Sequence, residues 1–201
     1  NDLGDVSTAA DDRCTTTAYA PNTAAWIINL PYRVTTVGVA CGATPALPAD
    51  AIGDTRTYYD GAALGTPPTR GDVTTVEVAN DYPGGMPTYL TTAATAYDAL
   101  GRPVSATDAI GRTSANAYAP ATGLLTSVTT TNAVGWTTTS AMRPEWGAEA
   151  STTDANGKVT EASFDALGRR VGVWAPDRPR AANPTSPSIE YGYTISTTAP
   201  N

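Results

Sequence analysis

The chain has 201 residues, a net charge of −7, a single lysine (Lys158) and no histidine; 35 of the residues in its 41% hydrophobic fraction are alanine, and they stand beside 35 threonines, with one phenylalanine and two methionines. Lacking histidine, it is excluded from Ser-His-Asp and Cys-His catalysis and from most zinc and iron sites. Lacking a basic stripe or a run of ~18 apolar residues, it is a poor partner for nucleic acid or anionic membranes and has no membrane span.

So little bulk suits thin sheets with small side chains on one face and hydroxyls on the other. Threonine is a poor helix former, and 16 prolines and 18 glycines interrupt every window. Four tryptophans, ten tyrosines and regular turn signals argue against disorder except at the ends.

Residues 1–12 are polar and acidic and read as a loop or frayed edge. No charged, apolar, small-residue leader opens the chain, which therefore reads as mature or as a piece of something longer. Residues 13–20 form a strand that ends at Pro21. Asn22 is placed to cap one helical turn through Ala25 and Trp26, stopped by Pro31. Trp26-Ile27-Ile28 is the bulkiest run and is expected to pack in the core rather than hold a ligand. Residues 32–40 alternate as a strand reaching Cys41, and residues 42–53, with Pro45 and Pro48, are a loop. Strands are expected over 54–60 and 73–79, the latter with Val76 and Val78 on one face and Glu77 on the other, with a long turn at 61–71 between them. A turn at 81–85 leads to a strand over 86–97. The loop at 42–53 divides the expected domains: a cap-like β segment at 1–53 and a repetitive sheet at 54–201.

From Tyr97 onward a unit recurs: Tyr97-Asp98-Ala99-Leu100-Gly101-Arg102, Asp108-Ala109-Ile110-Gly111-Arg112, Asn132-Ala133-Val134-Gly135, Asp154-Ala155-Asn156-Gly157-Lys158 and Phe164-Asp165-Ala166-Leu167-Gly168-Arg169. With Gly123 and Gly147, the glycines are spaced 10, 12, 12, 12, 10 and 11 residues apart. So steady a period marks a repeat. The Asp or Asn side chain can bond the backbone two residues on, and the glycine suits the left-handed residue after a type I turn. Six to eight residues between turns is one strand, so the array reads as antiparallel hairpins side by side; a plain β-sandwich with similar turns is the competing architecture. Pro103 is tolerated at a strand start. Leu124, Thr126 and Val128 share one face of a strand over 124–131. Residues 141–147 form a wider turn or a place where the chain changes course, residues after Trp174 make a proline-rich excursion, and a last strand covers 188–195.

The two aromatic-Asp-Ala-Leu-Gly-Arg copies resemble the YD repeat of the RHS family, and the Asp108 and Asp154 units resemble its Thr-Asp-x-x-Gly-Arg/Lys variant. Tyr58-Tyr59-Asp60-Gly61, Gly71-Asp72-Val73 and the run from Ala25 to Pro31 also look like members of that family. The resemblance spans Tyr58 to about Tyr193. It implies a spiralling β-shell enclosing a toxin or other effector, in a secreted or cell-surface bacterial protein. Family members often carry a self-cleaving core with an Asp-Pro-x-Gly motif. Here Asp177 is followed by Arg178 before Pro179, so the resemblance places the self-cleaving and effector parts outside this chain.

Candidate sites are few. Cys14 and Cys41 form an even pair, which in an exported chain suggests a disulfide; two buried thiols in a cytosolic protein are the alternative. Glu145 and Glu149 are the one close glutamate pair that could serve glycoside hydrolysis, and nothing else marks them. Asp154-Ala155-Asn156-Gly157 resembles the start of a calcium loop but lacks the third acidic position and the distal glutamate. The aromatics Tyr59, Tyr97 and Phe164 could stack on sugars, or fill the ladder between neighbouring strands.

The sequence thus predicts an all-β chain of hairpin repeats without catalytic, cofactor or metal residues. Its expected role is a structural segment of an RHS/YD shell; the rival is a carbohydrate-binding adhesion module. The expected structural residues are the disulfide pair, the aromatics and the turn pairs Asp98/Gly101, Asp108/Gly111, Asn132/Gly135, Asp154/Gly157 and Asp165/Gly168. The expected partners are flanking repeats of the same polypeptide or further copies, with an enclosed effector and carbohydrate as the remaining candidates. A piece this size is expected not to close a shell alone.

Overall fold

The structure, a computed structural model, describes residues 2–3, 11–195 and 198. Among them are fourteen strands, a single 3-10 turn at Pro83–Gly85 and no helix long and apolar enough to cross a membrane. Two compact units are formed, Asn1–Thr113 and Ser114–Asn201.

The first unit holds β1 (Asp2–Leu3), β2 (Arg13–Tyr19), β3 (Pro31–Val37), β4 (Ala51–Tyr59), β5 (Val73–Asp81), β6 (Thr88–Tyr97) and β7 (Pro103–Asp108). The second holds β8 (Thr113–Ala119), which begins on the last residue of the first unit, then β9 (Ser127–Thr131), β10 (Thr137–Arg143), β11 (Ala148–Thr153), β12 (Val159–Phe164), β13 (Arg170–Trp174) and β14 (Ile189–Glu190). Within each unit, sheet order is chain order and the pairings are antiparallel. This is the meander that short connections between sequential strands dictate.

A meander one layer thick offers little interior. The buried apolar residues are Ala20, Tyr59 and Trp174, with Pro68 fully enclosed. That matches a chain rich in alanine and threonine: the pleat is filled by small side chains and by threonines bonded across strands, such as Thr15 to Thr36 and Thr129 to Thr139.

Several local expectations are corrected. The turn after Asn22 is not helical. Asn22 and Ile27 exchange backbone bonds of 2.7 and 3.0 Å, and the Asn22 side chain accepts from Ala25 N–H, closing a tight loop in place of a cap. Trp26 sits at its tip with φ 57°, 86% exposed, and Ile28 is 56% exposed. The single-layer sheet has no deep core to receive them. Residues 53 and 54, where a seam was expected, both lie within β4, while the compact units part at Thr113/Ser114. The strand at 124–131 begins only at Ser127, with Leu124 exposed. The expected strand over 188–195 forms a ladder only at Ile189–Glu190, with one further backbone bond from Tyr191 N–H to Val171 C=O. Most of residues 1–12 and the end beyond 195 lie outside the described residues.

Candidate functional site

Five turns repeat one geometry. In the first, Asp98 N–H donates to Arg102 C=O (2.9 Å) and Gly101 N–H to Asp98 C=O (3.0 Å), while Asp98 Oδ1 accepts from Leu100 N–H and Arg102 N–H (2.9 and 3.0 Å). Gly101 takes φ 78°. This is a three-residue hairpin loop, a type I turn closed by a left-handed residue. Asp108/Gly111, Asn132/Gly135, Asp154/Gly157 and Asp165/Gly168 make the same backbone and side-chain bonds. Where arginine follows, its Nε also donates to the second carboxylate oxygen: Arg102 to Asp98 at 2.6 Å, and Arg112 to Asp108 and Arg169 to Asp165 at 2.7 Å. Backbone N–H of the arginine holds Asp98 and Asp165 below the usual carboxylate range, and the guanidinium does so at Asp108. Each of these three arginine clasps therefore closes a loop and neutralises its own charge.

The aromatics sit where the register shifts. Bulges fall at Tyr58/Tyr59, Ala96/Tyr97 and Ser163/Phe164, immediately before the aromatic in each case. A bulge re-aims the following side chain. Tyr59 donates its hydroxyl to Pro31 C=O (2.8 Å) and Tyr97 to Val73 C=O (3.0 Å), in both cases the first residue of the preceding strand. Phe164 has no hydroxyl, and packs on Trp146 from the turn before β11, ring centroids 5.8 Å apart. Trp146 also covers Gly168, where an added Cβ would lie 2.8 Å from its ring, whereas Gly111 faces open space. Gly111→Ala is therefore expected to cost ~1–2 kcal/mol from the left-handed backbone alone, and Gly168→Ala at least ~1 kcal/mol more from overpacking. Urea melts of the two variants check this order.

The long loop 60–72 uses the same logic with one carboxylate and more donors. Asp60, itself at φ 56°, accepts from the backbone N–H of Thr69, Arg70, Gly71 and Asp72 at 2.6–3.3 Å. Burial alone would raise its pKa; those N–H groups bring it down to about 2. Its folded pKa lies below the ordinary 3.8, so its stabilisation is full above about pH 4 and is lost as the pH falls toward 2. Replacement by asparagine should flatten that acid limb of a pH-stability profile.

Sequence reasoning missed a polar network on β3, β4, β5 and β6. Asp54 is 4% exposed. It accepts from Arg33 Nε (3.0 Å), Arg33 Nη2 (2.7 Å) and Tyr89 Oη (2.6 Å). Burial opposes its charge, and these donors outweigh burial and hold its pKa below the ordinary value. Beside it the Arg56 guanidinium stacks on the Tyr89 ring at 3.4 Å, and Tyr58 donates to Glu77 at 2.7 Å.

Each of the remaining candidates is accounted for by its own local partners. Cys14 and Cys41 form a disulfide, Cα atoms 4.9 Å apart. Glu149 accepts from Ser140 at 2.6 Å, which lowers its pKa, and Glu145 lies 3.9 Å from Arg143. The Asp154 Oδ1 that a calcium loop would need is occupied by Asn156 and Lys158 N–H. Among the described residues no group of three or more metal-ligating side chains forms.

Residues 97–134 match the model of the RHS Repeat family. The chain carries the RHS/YD repeat. No curated protein matches it in sequence. Its fold is shared with solved Tc toxin structures. One is the crystal structure of TcdB2-TccC3-Cdc42, with a TM-score of 0.61 and 15% identity over 81% of this chain. Another is a Photorhabdus luminescens Tc holotoxin pore, with a TM-score of 0.62 and 13% identity over 84%. A third is TcdB2-TccC3 without its hypervariable C-terminal region, with a TM-score of 0.61 and 16% identity over 81%. The chain spans 11% of each of these.

Proposed function

We propose that this chain is a non-catalytic wall segment of an RHS/YD-type shell, in a secreted or cell-surface bacterial protein, and that the shell guards a C-terminal toxin or effector lying outside these residues. The observation that carries this reading is one hairpin-clasp geometry used five times, at Asp98, Asp108, Asn132, Asp154 and Asp165, on a fold shared with Tc toxin assemblies. A wall needs no reactive groups. It needs paired strands joined by tight turns, and four of the five clasps spend a carboxylate on closing theirs. Its partners are then neighbouring repeats at the sheet edges, or further copies, and the enclosed cargo. An adhesin presenting its repeat tyrosines to glycans is less well supported, since Tyr59 and Tyr97 spend their hydroxyls inside the sheet.

The test is limited proteolysis of the complete natural polypeptide. A C-terminal segment that survives trypsin within the intact protein, yet is digested once separated from it, supports the shell. Equal digestion in both states, or a natural product with nothing enclosed, overturns it.

A further inference from the structure

Between the loop 60–72 and the end of β6 lies an open cleft of about 320 Å³, walled by Asp60, Thr69, Arg70, Asp72, Thr74 and Tyr97. We infer that this cleft is a subsite for one ring of a neutral carbohydrate, a role separate from that of a shell wall.

Its size stands at the low end of the ~300–1,000 Å³ typical of ligand sites, enough for a single ring and too small for a folded segment. Its walls are fixed before any ligand arrives. Asp60 ties down four successive backbone N–H groups of the loop, and the Tyr97 hydroxyl is held by Val73 C=O. Such preorganisation lowers the ordering cost of binding.

The charges select a neutral ligand. Arg70 Nη2 lies 2.9 Å from Asp72 Oδ2, so cation and anion cancel, and the Asp60 carboxylate is saturated by the loop. A phosphate or carboxylate would meet no unbalanced arginine and an Asp60 that keeps its negative charge, while a cation would have to displace the loop N–H groups that hold the Asp60 oxygens. What remains for a neutral ligand is the hydrogen-bonding capacity of the Arg70–Asp72 pair, whose charges balance each other. Of the five guanidinium N–H donors of Arg70, those on Nε and Nη1 bond no protein group among the described residues, and neither does Asp72 Oδ1. A donor fork beside an acceptor oxygen fits two adjacent hydroxyls, each of which both gives and accepts. Tyr97 supplies an aromatic wall for the apolar C–H groups of a ring.

Saturation-transfer NMR on the full chain, with glucose, galactose and N-acetylglucosamine as separate probes, tests the site. At least one sugar should bind with a dissociation constant of about 1 mM. Arg70→Met and Asp72→Asn should each weaken it by roughly tenfold, the loss of one or two hydrogen bonds to a charged group. Leu167→Ala, an exposed position in the other unit, should leave it unchanged. Circular dichroism of each variant separates lost binding from lost fold. If none of the three sugars transfers saturation, or if transfer survives in both folded cleft variants, the subsite is wrong. Neither result bears on the shell, which proteolysis tests separately.

Discussion

Arg33→Met should destabilise the chain by about 3 kcal/mol, the low end of the cost of leaving a buried charge without its partner. The low end applies because the Arg33 side chain is itself 37% exposed, while that of Asp54 is 5% exposed. Tyr89 and Arg56 also still face the carboxylate in the variant. The loss should come with a change in pH dependence. In the parent, Asp54 has a pKa below its ordinary value, so it stabilises the fold above about pH 4 and ceases to do so as the pH falls. Without Arg33, burial becomes the dominant influence and the carboxyl titrates higher. Stability of the variant should then fall as the pH rises from about 4 to 7, where the contribution of Asp54 in the parent is flat. A second change separates charge from packing: Arg33→Met with Asp54→Leu should recover most of the loss, because no charge is then stranded. Urea melts at several pH values read all of this. A single variant within ~0.5 kcal/mol of the parent would mean that the pair is solvated, not buried.

That network was invisible in the sequence for a physical reason. Arg33 and Asp54 are 21 residues apart and Asp54 and Tyr89 are 35 apart. They meet only through strand register. Counted from the hairpin turns, the β4–β5 register passes a bulge at Tyr58/Tyr59 before it reaches Asp54, and the β5–β6 register passes one at Ala79/Asp81 before it reaches Tyr89. A bulge shifts the facing pattern by one residue, and no local signal announces where it falls. The hairpin clasps were legible because they are entirely local: aspartate, its two amide partners, the glycine and the arginine lie within five residues. The Asp60 loop was half legible. Tyr59-Asp60-Gly61 and Gly71-Asp72 stood out, but that one carboxylate collects N–H groups nine to twelve residues away did not.

Trp26 shows the opposite failure, a sound general rule applied where the architecture withholds its premise. A bulky apolar run is usually core because two layers sandwich it. Here the local Asn22–Ile27 bridge turns the run outward, and a one-layer sheet has no second wall to take it in. The segment 188–195 fails for a related reason. Its apolar residues Ile189, Tyr191, Tyr193 and Ile195 alternate as a strand should, and Tyr191 N–H still reaches Val171 C=O. Ladder pairing nevertheless stops at Glu190 although β13 runs on to Arg170: the next contact is a side-chain one, the Tyr193 hydroxyl donating to Arg170 C=O at 2.8 Å, and the exposed Tyr191, Tyr193 and Ile195 find no second layer to pack on.

Removing the Cys14–Cys41 bond should cost more than any turn substitution. The bond joins residues 27 apart, and closing a loop of that size stabilises by roughly 3–4 kcal/mol in the chain-entropy model. For a chain of this length that is a fall in melting temperature of about 7–15 °C. The loss should be confined. β2 keeps its pairing with β3, but beyond it β1 contributes only Asp2 and Leu3, and the loop 38–50 loses its tie to the start of β2. Hydrogen exchange should therefore rise in β2 and in residues 38–50, while β8 to β13 stay as protected as in the parent. Cys14→Ser with Cys41→Ser and the thiol-reduced parent should behave alike, since both remove the same constraint. If both melt with the untreated parent, the bond is not formed in the folded protein in solution. The exposed position of Cys41 makes the bond accessible to a thiol reductant. A protein that depends on such a bond for several kcal/mol keeps that stability only where thiols are oxidised, which ties the measured loss to the compartment in which this sheet must stand.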